Sequence, residues 1–176
     1  MNACESILGL SPYQGGKPIE ELARELGLSK ISKLASNENP LGVSQKVQKA
    51  INDSLSNLNR YPDGNCFELK EAIAKKHGVS SSMVSLGNGS NELLELIARV
   101  FVSEHTDEVI FSQYAFVVYP LVTQALGATA VVSPANEFGH DLDAMLSLIS
   151  NQTKLIFVAN PNNPTGTLLS DEEVYT

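Results

Sequence analysis

These 176 residues read as an α/β fold, αβα in its layering, with a mainly parallel sheet preceded by an N-terminal segment of helices and loops. Three observations predict it. From Met83 onward, short β-prone runs alternate with helical stretches, which is the pattern of successive βαβ units. Leu155-Ile156-Phe157-Val158-Ala159 is apolar at every position, as in a central strand covered on both faces. Before Met83 the apolar residues recur at helical spacing instead.

In chain order, Ile19, Leu22, Ala23 and Leu26 form one helical face, with Pro18 tolerated in the first turn and Gly27 as its stop. A second face carries Val47, Ala50, Ile51, Leu55 and Leu58 after a cap at Ser44. A third follows Asp63-Gly64 with Leu69, Ala72 and Ile73, ending at His77-Gly78. Strands are expected over 83–86, 108–111, 129–132 and 155–159, with helices over 92–102, 117–126 and 142–149. Ser170-Asp171-Glu172-Glu173 has the spacing of a capping box, so a helix begins there, six residues before the chain stops at Thr176. A domain rarely ends inside a helical nucleus, and the chain is therefore expected to be a fragment.

The hydrophobic fraction of 43% suffices for one sizeable core. A net charge of -8 argues against broad nucleic-acid or anionic-membrane binding, which needs a basic face. Cys4 and Cys66 lie far apart with no metal-ligand spacing and read as reduced thiols. The N-terminus lacks both a basic start and a long apolar run, so the expected location is the cytoplasm.

Three segments carry candidate chemistry. Asn160-Pro161-Asn162-Asn163-Pro164-Thr165-Gly166 directly follows the apolar strand, at the sheet edge where open α/β folds bind ligands. Its prolines restrict the residues before them, so the Asn163 amide sits on a rigid loop. Leu86-Gly87-Asn88-Gly89-Ser90-Asn91-Glu92 is a glycine-rich turn opening a helix. Backbone amides and the Ser90 hydroxyl there suit a phosphate. It lacks the third glycine of a dinucleotide fingerprint and the Lys-Ser/Thr of a P-loop. Gln113-Tyr114-Ala115-Phe116-Val117-Val118-Tyr119-Pro120 brings three aromatic rings to a strand-to-helix junction. On local chemistry alone these are a turn, a capped helix and core packing.

Taken together and in this order, the segments resemble those of the histidinol-phosphate aminotransferases, within the fold-type I pyridoxal-phosphate-dependent transferases. Leu10-Ser11-Pro12-Tyr13-Gln14-Gly15-Gly16-Lys17-Pro18, Leu34-Ala35-Ser36-Asn37-Glu38-Asn39-Pro40-Leu41-Gly42 and Arg60-Tyr61-Pro62-Asp63-Gly64 extend the likeness to the N-terminal region. The resemblance implies a pyridoxal 5'-phosphate cofactor and amino-group transfer between L-histidinol phosphate with 2-oxoglutarate and imidazole-acetol phosphate with glutamate. It further implies that Asn163 donates to the cofactor's phenolic oxygen and that Gly89, Ser90 and Asn91 form the phosphate cup. Phe116 is implied to stack on the ring, with Tyr114 and Tyr119 as the other candidates. Tyr61 would reach the phosphate of the neighbouring subunit in a homodimer, and Tyr13, Asn37 and Asn39 would border the substrate. Residues 1–64 would then be an arm and helices for small-domain and dimer contacts, and 65–176 an incomplete cofactor-binding large domain. No catalytic residue is assigned within the chain, because none of its nine lysines follows the family's Ser-rich lysine motif. No metal site is expected. The rival readings are an aromatic-amino-acid aminotransferase or phosphothreonine decarboxylase of the same fold, or a non-catalytic module that binds phosphate ligands.

Overall fold

The middle strand of the main sheet, β1 (Glu108–Ser112), anchors the computed structural model, which describes residues 3–13 and 15–175. β1 pairs in parallel with β2 (Thr129–Ser133) on one side and β5 (Thr153–Phe157) on the other. Val109, Ile110, Phe111 and Ser112 are all buried, as neighbours on both sides and helix cover require. Val109 and Phe111 share a cluster with Val102, Tyr119 and Phe157. The ring of Tyr119 lies parallel to that of Phe157 with centroids 4.4 Å apart. Burial in this cluster raises the Tyr119 phenol above its ordinary pKa.

Helix α5 (Ser90–Phe101) precedes β1, α6 (Val118–Leu126) links β1 to β2, and α7 (Leu142–Ser147) leads into β5. A short α8 (Asp171–Tyr175) follows the asparagine loop, and its capping box is formed: Ser170 N donates to Glu173 Oε2 at 2.8 Å and Glu173 N to Ser170 Oγ at 3.3 Å. Ser170 holds the Glu173 carboxyl below its ordinary pKa. The turn from α5 into β1 is fixed by buried Asp107, whose Oδ2 accepts from Ser103 N and Glu104 N at 2.8 and 3.0 Å. Those two amides also hold its carboxyl below the usual range. The N-terminal α1 (Glu5–Leu8) packs on α6, where Ser6 Oγ donates to the Ala125 carbonyl at 3.4 Å.

The chain divides into two compact units, Met1–Ser11 with Ser82–Thr176 and, separately, Pro12–Ser81. The second contains α2 (Ile19–Leu26), α3 (Gln45–Ser54) with a 3₁₀ turn at Leu55–Asn57, and α4 (Phe67–His77). Gly27 and Gly78 end α2 and α4 in the left-handed region, at φ 65° and 68°. The apolar stripe of Val47, Ile51, Leu55 and Leu58 is exposed in this chain.

The observed strands depart from expectation in three places. Residues 83–86 form no strand: a 3₁₀ turn covers Ser81–Met83 and the chain then runs irregularly into the glycine-rich turn. Strand propensity is realised only where a pairing partner exists, and the sheet formed by the described residues offers this run none. Among the described residues the apolar run at 155–159 has a pairing partner on one side only. β5 spans Thr153–Phe157 at one edge of the three-stranded sheet, with Ile156 37% and Val158 42% exposed. An apolar run reports a demand for burial, not which strands lie beside it. A two-residue hairpin, β3 (Ala135–Asn136) with β4 (Gly139–His140), was not anticipated. Its turn residues Glu137 and Phe138 both have positive φ, 46° and 67°, a geometry normally signalled by Asn-Gly. No helix among the described residues is long and apolar enough to cross a membrane.

Candidate functional site

Parallel pairing of β1 and β5 puts the loops that leave them, 113–117 and 158–170, on the same edge of the sheet. The second loop is pinned along its length. Its root is held by buried His140, whose Nε2 lies 2.9 Å from the Ala159 carbonyl oxygen. The Asn160 side chain then clasps Leu169, donating to its carbonyl at 2.9 Å and accepting from its amide at 2.8 Å. Asn162 closes an inner ring, its amide donating to Thr167 O and its carbonyl accepting from Gly166 N, both at 2.8 Å. Gly166 exits at φ 74°. Asn162 is 4% exposed and its Nδ2 donates to the Tyr114 carbonyl at 3.1 Å and to Thr165 Oγ1 at 2.8 Å. The adjacent Asn163 is exposed, and its side chain has no hydrogen-bond partner among the described residues.

The glycine-rich turn reaches the same edge by a different route. Helix α5 has 12 residues, about 18 Å at 1.5 Å each, and doubles back through 103–107 into the five-residue β1, about 16 Å long. The N-terminus of α5 therefore lies level with the C-terminal end of β1. Leu94, in the second turn of α5, packs against the same core cluster as Phe116 and Ala159. Gly89 caps the helix at φ 82°, ψ 173°, a region reserved for glycine. A Cβ on Gly87 would stand 2.8 Å from Glu92 Oε2 and 3.2 Å from Leu93 Cγ. Glu92 turns back to accept from Asn88 N at 2.6 Å, bracing the turn from behind. The Ser90 hydroxyl and the Ser90 and Asn91 amides have no partner among the described residues, leaving donors free at a positive helix end.

Of the three aromatic candidates, Tyr119 is buried against Phe157 and unavailable to a ligand. Tyr114 packs on Phe138 with ring centroids 5.2 Å apart. Phe116 is half-buried, with its edge-on contact to Tyr119 at 6.0 Å fixing its plane. Lys154 is the sole lysine of this unit by sequence and stands near the start of β5, close enough to Asp107 to help hold that carboxyl ionised. That end of the sheet is opposite to the loops.

The remaining candidates belong to the second unit. Tyr13 and Tyr61 are exposed there. Tyr61 precedes a turn in which Asp63 accepts from Asn65 N and Phe67 N at 2.9 and 2.8 Å. Those amides, that of Phe67 foremost, hold its carboxyl below the usual range. Asn37 lies in the left-handed region at φ 51°, and Asn39 Oδ1 accepts from Leu41 N at 3.0 Å in a side-chain-closed turn. Sequence reasoning singled out Asn163 but missed His140, Asn160 and Asn162 as the residues that hold it. The two asparagines stood in the quoted motif. Nothing in the sequence marked His140, which becomes a loop anchor only through the unforeseen β3–β4 hairpin.

Such a half-sheet, with an asparagine loop, a helix-end cup and an aromatic loop on one rim, is the architecture of a pyridoxal-phosphate-type transferase. The chain belongs to the family Aminotransferase class I and II, which it matches over residues 29–176. It is 58% identical over 172 residues to histidinol-phosphate aminotransferase 2 of Haemophilus influenzae (strain 86-028NP), covering 98% of this chain and 47% of that protein. It is 59% identical over 168 residues to histidinol-phosphate aminotransferase 1 of Mannheimia succiniciproducens, covering 96% and 46%. Among solved structures, the histidinol-phosphate aminotransferase of Sinorhizobium meliloti in complex with pyridoxal-5'-phosphate superposes with a TM-score of 0.84 at 26% identity, over 97% of this chain and 45% of that one. The Thermus thermophilus aspartate aminotransferase double mutant 1, at 20% identity, shares the fold with a TM-score of 0.81. The chain spans about half the length of the curated relatives it matches.

Proposed function

We propose that the intact protein is a pyridoxal-phosphate-dependent histidinol-phosphate aminotransferase of histidine biosynthesis, and that residues 1–176 hold most of its cofactor cradle. The identity of 58% to a relative of that name, over 172 residues that make up 98% of this chain, carries the reading. The residues fit the group. Asn163 presents an unpaired, non-titrating amide donor suited to a phenolate oxygen. The free Ser90 and Asn91 amides, the Ser90 hydroxyl and the helix end suit a phosphate dianion, with Gly89 keeping the backbone open to it. Phe116 offers a flat face with its plane already set.

When bound, pyridoxal phosphate supplies an electron-accepting ring that stabilises charge developing on the substrate carbon. Asn163 polarises that ring through its oxygen, while the cup and Phe116 fix where it sits. Tyr61 contributes a phenol to the phosphate of the neighbouring subunit, which makes the working unit a homodimer. Tyr13, Asn37 and Asn39 border the substrate. Residues 1–64 serve small-domain and dimer contacts and 65–176 the large domain, in a cytoplasmic enzyme. The lysine that would anchor the cofactor and move the proton is not assigned within these 176 residues, since none of their nine lysines follows the family's Ser-rich lysine motif.

The test is a comparison of kcat/KM for L-histidinol phosphate and L-phenylalanine, with 2-oxoglutarate as acceptor, in the full-length enzyme. Preference for histidinol phosphate is expected. Preference for phenylalanine, or release of carbon dioxide from a phosphorylated amino acid, would replace the reading by one of its neighbours in the same fold.

A further inference from the structure

We infer that Asn162, not itself a cofactor ligand, is a positioning residue that joins the two cofactor-facing loops, so that Asn163 and Phe116 keep a fixed relation to each other. The inference rests on the proposed cofactor site for its purpose, but not for its structural content. Asn162 is buried, and one side-chain nitrogen supplies both bonds that matter: one within its own loop, to Thr165 Oγ1, and one across to the Tyr114 carbonyl, 48 positions away in the chain. Tyr114 lies two residues before Phe116, and Asn162 directly precedes Asn163. Each cofactor-facing side chain is therefore within two residues of one end of a single cross-link.

Asn162 Oδ1 is buried with no hydrogen-bond partner. A residue serving only to stabilise the turn gains nothing from a buried, unsatisfied acceptor, which carries a desolvation cost. What the position uses is an uncharged group with two N–H donors on one atom. Neither aspartate nor leucine, both close to asparagine in size, supplies that.

This chemistry separates the two bonds. In Asn162→Asp the Thr165 hydroxyl can turn to donate to the carboxylate, preserving the contact within the loop, whereas the Tyr114 carbonyl would face a second acceptor and be released. In Asn162→Leu both contacts go. Hydrogen–deuterium exchange on the full-length apoprotein reads the coupling without any catalysis. The expectation is that Asn162→Asp accelerates amide exchange over 113–117 by about fivefold or more, the equivalent of one net hydrogen bond, with a smaller change over 160–167 and none over 109–111. Asn162→Leu should accelerate both loops. Acceleration confined to 160–167 in both variants would overturn the inference and reduce Asn162 to a turn residue, as would no acceleration in either. If one variant fails to fold, the other decides. In the holoenzyme, Asn162→Asp should lower kcat by about tenfold while moving KM by less than about threefold, and should shift the bound cofactor's visible absorption in the same direction as Asn163→Ala. Coupled exchange in an enzyme without histidinol-phosphate turnover would defeat the functional reading and leave the cross-link standing. Uncoupled exchange in an active enzyme would do the reverse.

Discussion

Asn162 and Asn163 are neighbours with identical side chains, yet one is buried in the loop's framework and the other faces outward with its amide unused. Composition and spacing cannot make that distinction, because both residues are ordinary turn formers. The difference comes from which side chain meets the Tyr114 carbonyl, a contact 48 positions away. The glycines were easier to read, and Gly89 makes the sharper test. Its φ and ψ lie where a Cβ is excluded, so Gly89→Ala should destabilise the turn by about 1–3 kcal/mol. Pyridoxal phosphate affinity should fall with it, measured by equilibrium titration of full-length apoprotein. Unchanged affinity would remove Gly89 from the cup. Tyr61→Phe should weaken cofactor retention by roughly tenfold to a hundredfold, the worth of one hydrogen bond to a dianion, with the fold intact.

Helices α2 to α7 were legible because a face repeating every three or four residues, closed by a glycine or a cap, is a local property of the chain. Strands depend on partners that the sequence does not name. Residues 108–111 and 129–132 became β1 and β2 with one residue added to each, while among the described residues 83–86 has no partner and 155–159 has one on a single side. The α5–β1 turn depends on one carboxylate. Asp107 binds the Ser103 and Glu104 amides as a carboxylate, so its folded pKa lies below the unfolded one. Its contribution to stability is therefore complete above the ordinary value of about 3.9 and is lost as pH falls from there through the folded pKa. Asp107→Asn should lower the full-length protein's melting temperature at pH 7, and the gap to the unaltered protein should narrow below pH about 4. A gap independent of pH would assign the effect to packing. In the core, Phe157→Ala removes the ring stacked on Tyr119 and should cost about 3–5 kcal/mol in denaturant unfolding.

At the scale of the molecule, the chain carries a sheet edge whose candidate donors are exposed and unpaired and two of whose supports, His140 and Asn162, are buried, as a preorganised binding edge requires. The order of motifs made the family legible from sequence, whereas nothing in the described residues brings a partner to the second unit's exposed Tyr13 and Tyr61. The 176-residue chain alone should show no transaminase activity, because none of its nine lysines follows the family's Ser-rich lysine motif. If Tyr61 acts across a dimer interface, mixing full-length Tyr61→Phe subunits with subunits disabled at the phosphate cup should recover activity, since each hybrid then contains one intact site. The most direct test of the central claim is a crystal structure of the full-length protein with pyridoxal phosphate. The account predicts Asn163 Nδ2 at hydrogen-bonding distance from the phenolic oxygen, about 2.8–3.2 Å, with the phosphate on the Ser90 and Asn91 amides and Phe116 against the ring. A cofactor bound away from this edge, or seated here with Asn163 turned from it, would contradict the account.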